Sequence, residues 1–281
     1  MVLSRDRRDE LLHTLERLQA LPEAPPVIVV DNGSADASPA RVAASHPDVE
    51  LLALAANEGA AARTLGVRTA RTEYVAFSDD DSWWEPGALS RAVELLDAHP
   101  TIALLAGRVL VGPHERLEPT CVAMAESPLP ARGDLPGPRV LGFVACGAIV
   151  RRDAYLAAGG FHPRYGVGGE EALLAADLAS AGWDLVYVDE LVAHHHPSPR
   201  RDRPARRASA QRNDLWSAWL RRPWRAALRR TGELLRGAPR ERAAVIGTIT
   251  AAGGLPWILR ERRSVPDAVE RDLRRLETAA P

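Results

Sequence analysis

An α/β fold built on a parallel-dominated, doubly wound sheet, with a C-terminal helical extension, is what this sequence predicts. Three observations carry the prediction. The first 110 residues alternate helical and strand patterns. Short β-branched runs end in turn chemistry, as buried parallel strands do. From about residue 200 the pattern changes to arginine-rich helices. Repeated strand–helix–strand alternation favours a parallel sheet because each crossover lays a helix on a sheet face.

Taken in order, residues 10–21 place Leu11, Leu12, Leu15, Leu18 and Leu21 on a helical stripe. After Pro25-Pro26, residues 27–30 read as a strand buried on both faces, broken by Asp31-Asn32-Gly33-Ser34. A helix, a second strand over 49–54, a small-residue helix over 60–69 and a third strand over 74–78 follow. That last strand runs into the triplet Asp79-Asp80-Asp81. A helix over 86–98 and an apolar run over 102–111 continue the alternation. Residues 112–140, rich in Pro and Gly, read as an irregular connection. Structure resumes at 140–150, with helices at 153–158 and 170–181, a Gly-rich stretch between them, and a strand at 185–188. The expected division is a domain over 1–200, split into halves 1–110 and 111–200, and the extension over 201–281.

With 281 residues, 46% hydrophobic and 26% charged, the chain has the composition of a globular protein with a full core. Two cysteines exclude a disulfide framework and, with no secretory signal, point to a reducing cytoplasm. All 36 basic residues are arginine. The net charge of −1 conceals 20 Arg against 9 Asp/Glu over residues 200–281 and 16 against 28 over 1–199. A basic tail of this kind either meets an anionic surface or pairs with the acidic body. Its interleaved acids and lack of a binding motif argue against nucleic acid. Residues 243–259 carry no charge, but the run is at the short limit for a membrane span and contains Gly and Pro, so a packed or interfacial helix is expected.

Asp31-Asn32, Asn57-Glu58-Gly59 and Asp79-Asp80-Asp81 each follow a predicted strand, and in an open parallel sheet such positions share one crevice. Adjacent carboxylates repel one another unless a cation is present, and Mg²⁺ or Mn²⁺ commonly bridges carboxylates to substrate phosphates. An N-cap for the following helix would need only one Asp, so the triplet reads as a divalent-cation site. Asp31 reads either as a turn residue or as an acceptor for the base or ribose of a nucleotide. Arg63 suits a phosphate or a neighbouring carboxylate. Glu170 and Glu171 either open a helix, favoured by its dipole, or supply a base. His194-His195-His196 reads as metal contact on an irregular segment or as a surface cluster, and Trp83, Trp84 and Trp183 as a sugar platform or as core.

Residues 30–34 (Val-Asp-Asn-Gly-Ser), 57–66 (Asn-Glu-Gly-Ala-Ala-Ala-Arg-Thr-Leu-Gly) and 77–86 (Phe-Ser-Asp-Asp-Asp-Ser-Trp-Trp-Glu-Pro) resemble the successive motifs of family 2 glycosyltransferases of GT-A fold, in their bacterial rhamnosyltransferase-like branch. The resemblance spans about residues 2–200. It implies an inverting transfer from a nucleotide diphosphate sugar to an acceptor hydroxyl on a glycan or lipid-linked acceptor, in cell-envelope or polysaccharide synthesis. Ser4, Arg5, Asp31, Asn57, Arg63, Asp79 and Asp80 would bind the donor, and Asp81 with His194 or His195 would hold Mn²⁺ or Mg²⁺. Gly159-Gly160-Phe161 and Gly168-Gly169-Glu170-Glu171 look like the acceptor-side segment. There a Gly-Glu-Asp pattern places the base, so Glu171 takes that role, supported by Glu170, with Trp83, Gly168 and Gly169 facing the acceptor.

Two departures stand out. Glu171 is one methylene longer than the family's Asp. Only Met1-Val2-Leu3 precede the Ser4–Arg7 loop, so either the first strand is a stub or the natural start lies further upstream. Trp216, Trp219 and Trp224 with their arginines suggest peripheral contact with the inner face of the membrane. The alternative readings are a nucleotidyltransferase, for which no Gly-rich phosphate loop is seen, and a degenerate, non-catalytic binding protein.

Overall fold

The computed structural model describes residues 1–197, 203–237 and 242–279. Its strands are β1 (Val2–Ser4), β2 (Ile28–Asp31), β3 (Glu50–Ala53), β4 (Tyr74–Ala76), β5 (Ser78–Asp79), β6 (Ser82–Trp84), β7 (Ile102–Val111), β8 (Arg116–Leu117), β9 (Ala148–Arg151) and β10 (Asp184–His195). Its helices are α1 (Arg8–Gln19), α2 (Ser38–Ser45), α3 (Ala62–Thr69), α4 (Ala88–Ala98), α5 (Pro119–Ala125), α6 (Arg152–Ala157), α7 (Glu170–Ser180), α8 (Arg203–Arg221), α9 (Trp224–Gly237), α10 (Arg242–Ala252), α11 (Leu255–Glu261) and α12 (Asp267–Ala279).

One sheet has the order β3-β2-β1-β5 and is parallel throughout. The three-residue β1 lies between β2 and β5, pairing Ser4 with Asp31 and Leu3 with both Val30 and Asp79. Strand ends that carry Ser4, Asp31 and Asp79 therefore stand side by side. Helix α1 covers this sheet because Leu11, Leu15 and Leu18 recur at helical spacing and are buried.

The second sheet has the order β4-β9-β7-β10-β6, with β8 on β7. Here β10 runs parallel to β7, while β4–β9, β7–β9, β7–β8 and β10–β6 are antiparallel. The expected strand over 74–78 is thus two strands in different sheets: β4 pairs with β9, and β5 pairs with β1. Side-chain alternation cannot reveal such a change of partner, since β4 and the two-residue β5 are both extended and only Phe77 separates them. Strand β10 is also longer than expected. It continues past an irregularity between Val188 and Val192 to His195, so His194 and His195 lie on a strand rather than an irregular segment.

The tail helices pack against the body through Tyr165 and Leu173, which join Leu215, Trp216, Leu220, Ala251, Trp257 and Ile258 in one buried cluster. Its arginines find partners largely within the tail: Arg222 with Glu270 and Glu277, Arg229 with Glu277, and Arg230 with Asp214. Arg221 pairs with Asp177 of the body, and Arg139 of the body with Asp272. No helix among the described residues is long and apolar enough to cross a membrane.

Candidate active site

The triplet occupies the tight connection from β5 to β6, where the chain passes from one sheet to the other. Asp79 N–H donates to Ser82 Oγ at 2.7 Å and closes the turn. Because β6 pairs with β10, placing Ser82 opposite His195, the end of β10 lies against the triplet, and His196 N–H donates to the Asp81 carbonyl at 2.8 Å. Helix α4 begins later, behind Gly87, so the triplet does not cap it.

A cleft of about 850 Å³ opens over these strand ends. It is lined on one side by Ser4, Arg5, Asn32, Asn57, Arg63, Asp79, Asp80 and His195, and on the other by Val167, Gly168, Gly169, Glu170 and Glu171. The volume is that of a small-molecule site. A cavity of similar size at the opposite ends of the strands, lined by residues such as Pro25, Val27, Tyr74 and Val93, holds none of the chemistry-bearing clusters.

Charge compensation dominates the first side. Arg7 Nη1 lies 2.9 Å from Asp81 Oδ2 and 3.3 Å from Asp80 Oδ1, and Arg63 pairs with Asp79. His195 Nε2 is 3.3 Å from Asp81 Oδ1. Burial, then the charges of Asp81 and Asp79, push Asp80 up to about 7 despite Arg7. Burial by itself would lower the Arg63 guanidinium, but Asp79, Glu170 and Glu171 around it hold it above its ordinary value. Asp31 is buried at the end of β2, where its carboxylate accepts from the Ser34 hydroxyl at 2.5 Å and the Ser34 N–H at 3.1 Å. Asn32 ties this loop to the next, its Nδ2 donating to Asn57 Oδ1 and to the Gly59 carbonyl, each at 3.0 Å.

The second side is built by the Gly-rich entry to α7. Gly168 and Gly169 adopt φ of 103° and 84°, a region that disfavours side chains, and the turn packs directly on Ala210 and Asn213 of α8. Asn213, fully buried, donates to the carbonyls of Gly168 at 2.6 Å and Tyr165 at 2.9 Å. Glu170 accepts from the Gly168 N–H, and burial raises its carboxyl. Burial and the adjacent Glu170 push Glu171 up to about 8.

A carboxylate–imidazole donor set suits Mn²⁺ or Mg²⁺, and the residues present fit such an ion. Asp79, Cys146 and His195 bring one donor atom each within 4.8 Å of one another, and Asp81 joins them through His195. The raised Asp80 carboxyl marks negative charge that Arg7 leaves incompletely offset.

Several expected residues lie elsewhere. His194 alternates to the opposite face of β10 from His195, where its Nε2 is 2.6 Å from Glu85 and its Nδ1 3.2 Å from Glu115. Trp83 is buried on that same far face, edge-on to His13 and stacked on His194. Trp84 is buried in the core with its indole N–H on the Phe77 carbonyl, and Trp183 packs on the core, so none of these tryptophans forms a sugar platform. Asp31 and Asp81 border the cleft from beneath its lining. Residues that sequence reasoning passed over include Arg7 as partner of the triplet, Cys146, Asn213, and the α8 residues Arg207 and Ala210 that wall the cleft. Only Arg7, within the Ser4–Arg7 loop, had a signal in the sequence.

Comparison with known proteins agrees with this geometry. The model of "Glycosyl transferase family 2" matches residues 1–157. An N-acetylglucosaminyl-diphospho-decaprenol L-rhamnosyltransferase of Mycobacterium tuberculosis is 28% identical over 247 residues, covering 72% of this chain and 79% of the relative. The pre-mycofactocin glycosyltransferase of the same organism is 34% identical over 197 residues, 65% of this chain and 40% of the relative. Among solved structures, the mannosyltransferase PcManGT from Pyrobaculum calidifontis, in complex with GDP-Man and Mn²⁺, superposes with a TM-score of 0.59 at 19% identity, over 100% of this chain and 74% of that one. S. aureus TarS 1-349 in complex with UDP gives 0.56 at 17% identity, over 77% of this chain and 64% of that one. These likenesses show a GT-A-type fold, and with the match over residues 1–157 the chain belongs to glycosyltransferase family 2.

Proposed function

We propose that the cleft binds a nucleotide diphosphate sugar and a divalent cation and transfers the sugar, with inversion, to an acceptor hydroxyl. The single observation that carries this reading is the meeting of two unlike carboxylate groups across one cleft: a cation-compensated triplet and the raised Glu171. Ser4, Arg5, Asp31, Asn57, Arg63, Asp79 and Asp80 form the donor side; the Ser4 hydroxyl, buried at the cleft without a partner, suits a donor contact. Asp81 and His195 would hold Mn²⁺ or Mg²⁺, with Asp79 and Cys146 adjacent, and such an ion offsets charge developing on a departing diphosphate. Arg63, poised between Asp79 and Glu171, would hold both carboxylates in register. Glu171 is placed to take the proton from the attacking hydroxyl, and its raised basicity suits that task near neutral pH. Gly168 and Gly169, packed on Ala210 and Asn213 of α8, set the turn that carries Glu170 and Glu171 on the acceptor side.

The rhamnosyltransferase relative points to a lipid-linked diphosphate acceptor and a nucleotide-activated L-rhamnose donor as the first pair to test, in cell-envelope glycan synthesis. The test is a thermal-shift screen of UDP-, dTDP- and GDP-sugars with and without Mn²⁺. Stabilisation by one donor only with metal supports the reading, and no shift with any donor overturns it. Neither a nucleotidyltransferase nor a non-catalytic binder gains support from the comparisons.

A further inference from the structure

The uncharged run 243–259 forms α10 and α11. Their inward residues Ala251, Trp257 and Ile258 pack with Trp216 and Leu220 of α8. Their outward residues stay largely in water. Ile249 is 68% exposed and Leu259 60% exposed, with Ile246 and Leu255 beside them. The same holds on α9, which packs against both α8 and α10: Trp224, Leu228 and Leu235 share one helical face, and Leu228 is 66% exposed. A water-facing apolar surface spread over three neighbouring helices is uncommon in a chain that has no use for it.

Charge singles out the occupant. Arg225 and Arg236 of α9, Arg260 of α11 and the following Arg263 are exposed, whereas Arg229 and Arg230 are answered by Glu277, Asp214 and Glu233. Arg262 stacks on Trp224, its guanidinium 3.9 Å from the ring centroid, joining the two segments. Helices with one apolar face, a bordering Trp and surrounding arginines lie in the plane of an anionic lipid surface, burying apolar side chains while the arginines meet headgroups.

We propose that the outer face of α9, α10 and α11 is a monotopic docking surface for an anionic phospholipid bilayer. The opposite side of the helix they cover, α8, walls the cleft through Arg207 and Ala210. Docking therefore holds the cleft about two helix diameters, roughly 20 Å, above the headgroups. Among the sequence-level candidates, Trp216 and Trp219 do not belong to this surface: Trp216 is buried and donates to the Ala251 carbonyl, and Trp219 donates to Thr231. Trp224 does belong.

The test is co-sedimentation of the full chain with phosphatidylcholine vesicles, with and without phosphatidylglycerol, at low and high salt. Binding is expected to anionic vesicles and to weaken with salt. The variant I249E/L259E should lose at least about tenfold in partitioning. Replacing Arg225 or Arg260 by Gln should cost about fivefold each. Asp81→Ala, which disables the proposed cation site, should bind vesicles as the unaltered chain does, so failure of the catalytic reading is separate from failure of this one. A milder L228S/L259S variant guards against misfolding, with an unchanged melting temperature required of every variant compared. Absence of binding to anionic vesicles overturns the proposal. So does equal binding by variants that keep their fold, or light scattering showing that the same variants dissociate a dimer, which would assign the surface to a second copy.

Discussion

The two carboxylate groups that face each other across the cleft are chemically opposed. Asp79, Asp80 and Asp81 sit in a turn where Arg7, Arg63 and His195 pair with them, so their charge is partly answered, although burial still pushes Asp80 up to about 7. Glu170 and Glu171 open α7, where burial pushes both carboxyls up, Glu170 adds to the rise at Glu171, and Arg63 offsets only part of it. Residues of one chemical kind are thereby given different work: the first group is suited to hold a cation and diphosphate, the second to take a proton. The difference comes from neighbours, not from the acids themselves.

The largest expected effect tests the first group. Asp81→Ala should lower transfer by about a thousandfold or more and abolish metal-dependent donor stabilisation, the loss expected when electrostatic support for a leaving group is removed. Donor thermal shifts with and without Mn²⁺, beside steady-state rates, would measure it. Next comes Glu171→Gln, which should lower kcat by about 10²–10⁴-fold while leaving the donor-induced shift in melting temperature intact. Equal loss of donor binding in that variant would merge the two groups and break the contrast.

A pH profile sharpens it further. With Glu171 as the proposed base, kcat/KM should rise with pH and level off above about 8, and the rising limb should disappear in Glu171→Gln. Asn213→Ala should raise KM for the acceptor and lower stability by about 1–3 kcal/mol, since the Gly168 and Tyr165 carbonyls lose a buried donor. Smallest of all, His194→Ala should leave metal dependence unchanged while His195→Ala weakens it, because the two rings point to opposite faces of β10.

Much of the donor side was legible in the sequence, and the reason is local. Parallel strands end in the same direction, so Asp31, Asn57 and Asp79, each following an apolar run, had to meet in one crevice. Glycines at 168–169 likewise announced a turn that opens α7. The crossing from β5 in one sheet to β6 in the other was not legible, because Ser82-Trp83-Trp84 carries no alternation that separates a strand from a helix entrance. Missing strand β6 and its pairing with β10 sent Trp83 to the acceptor side and left His194 and His195 indistinguishable.

The sequence by itself determined the class of the fold, the order of its family motifs and the acidic clusters that gather at one cleft, since periodicity and turn chemistry act over a few residues. Only the tertiary structure decided which histidine reaches the triplet, that Arg7, Cys146 and Asn213 belong to the site, and that the uncharged run lies flat on α8 with its outer face exposed. Those outcomes depend on strand pairing between β6 and β10 and on helix packing across more than a hundred residues, contacts that no local pattern encodes.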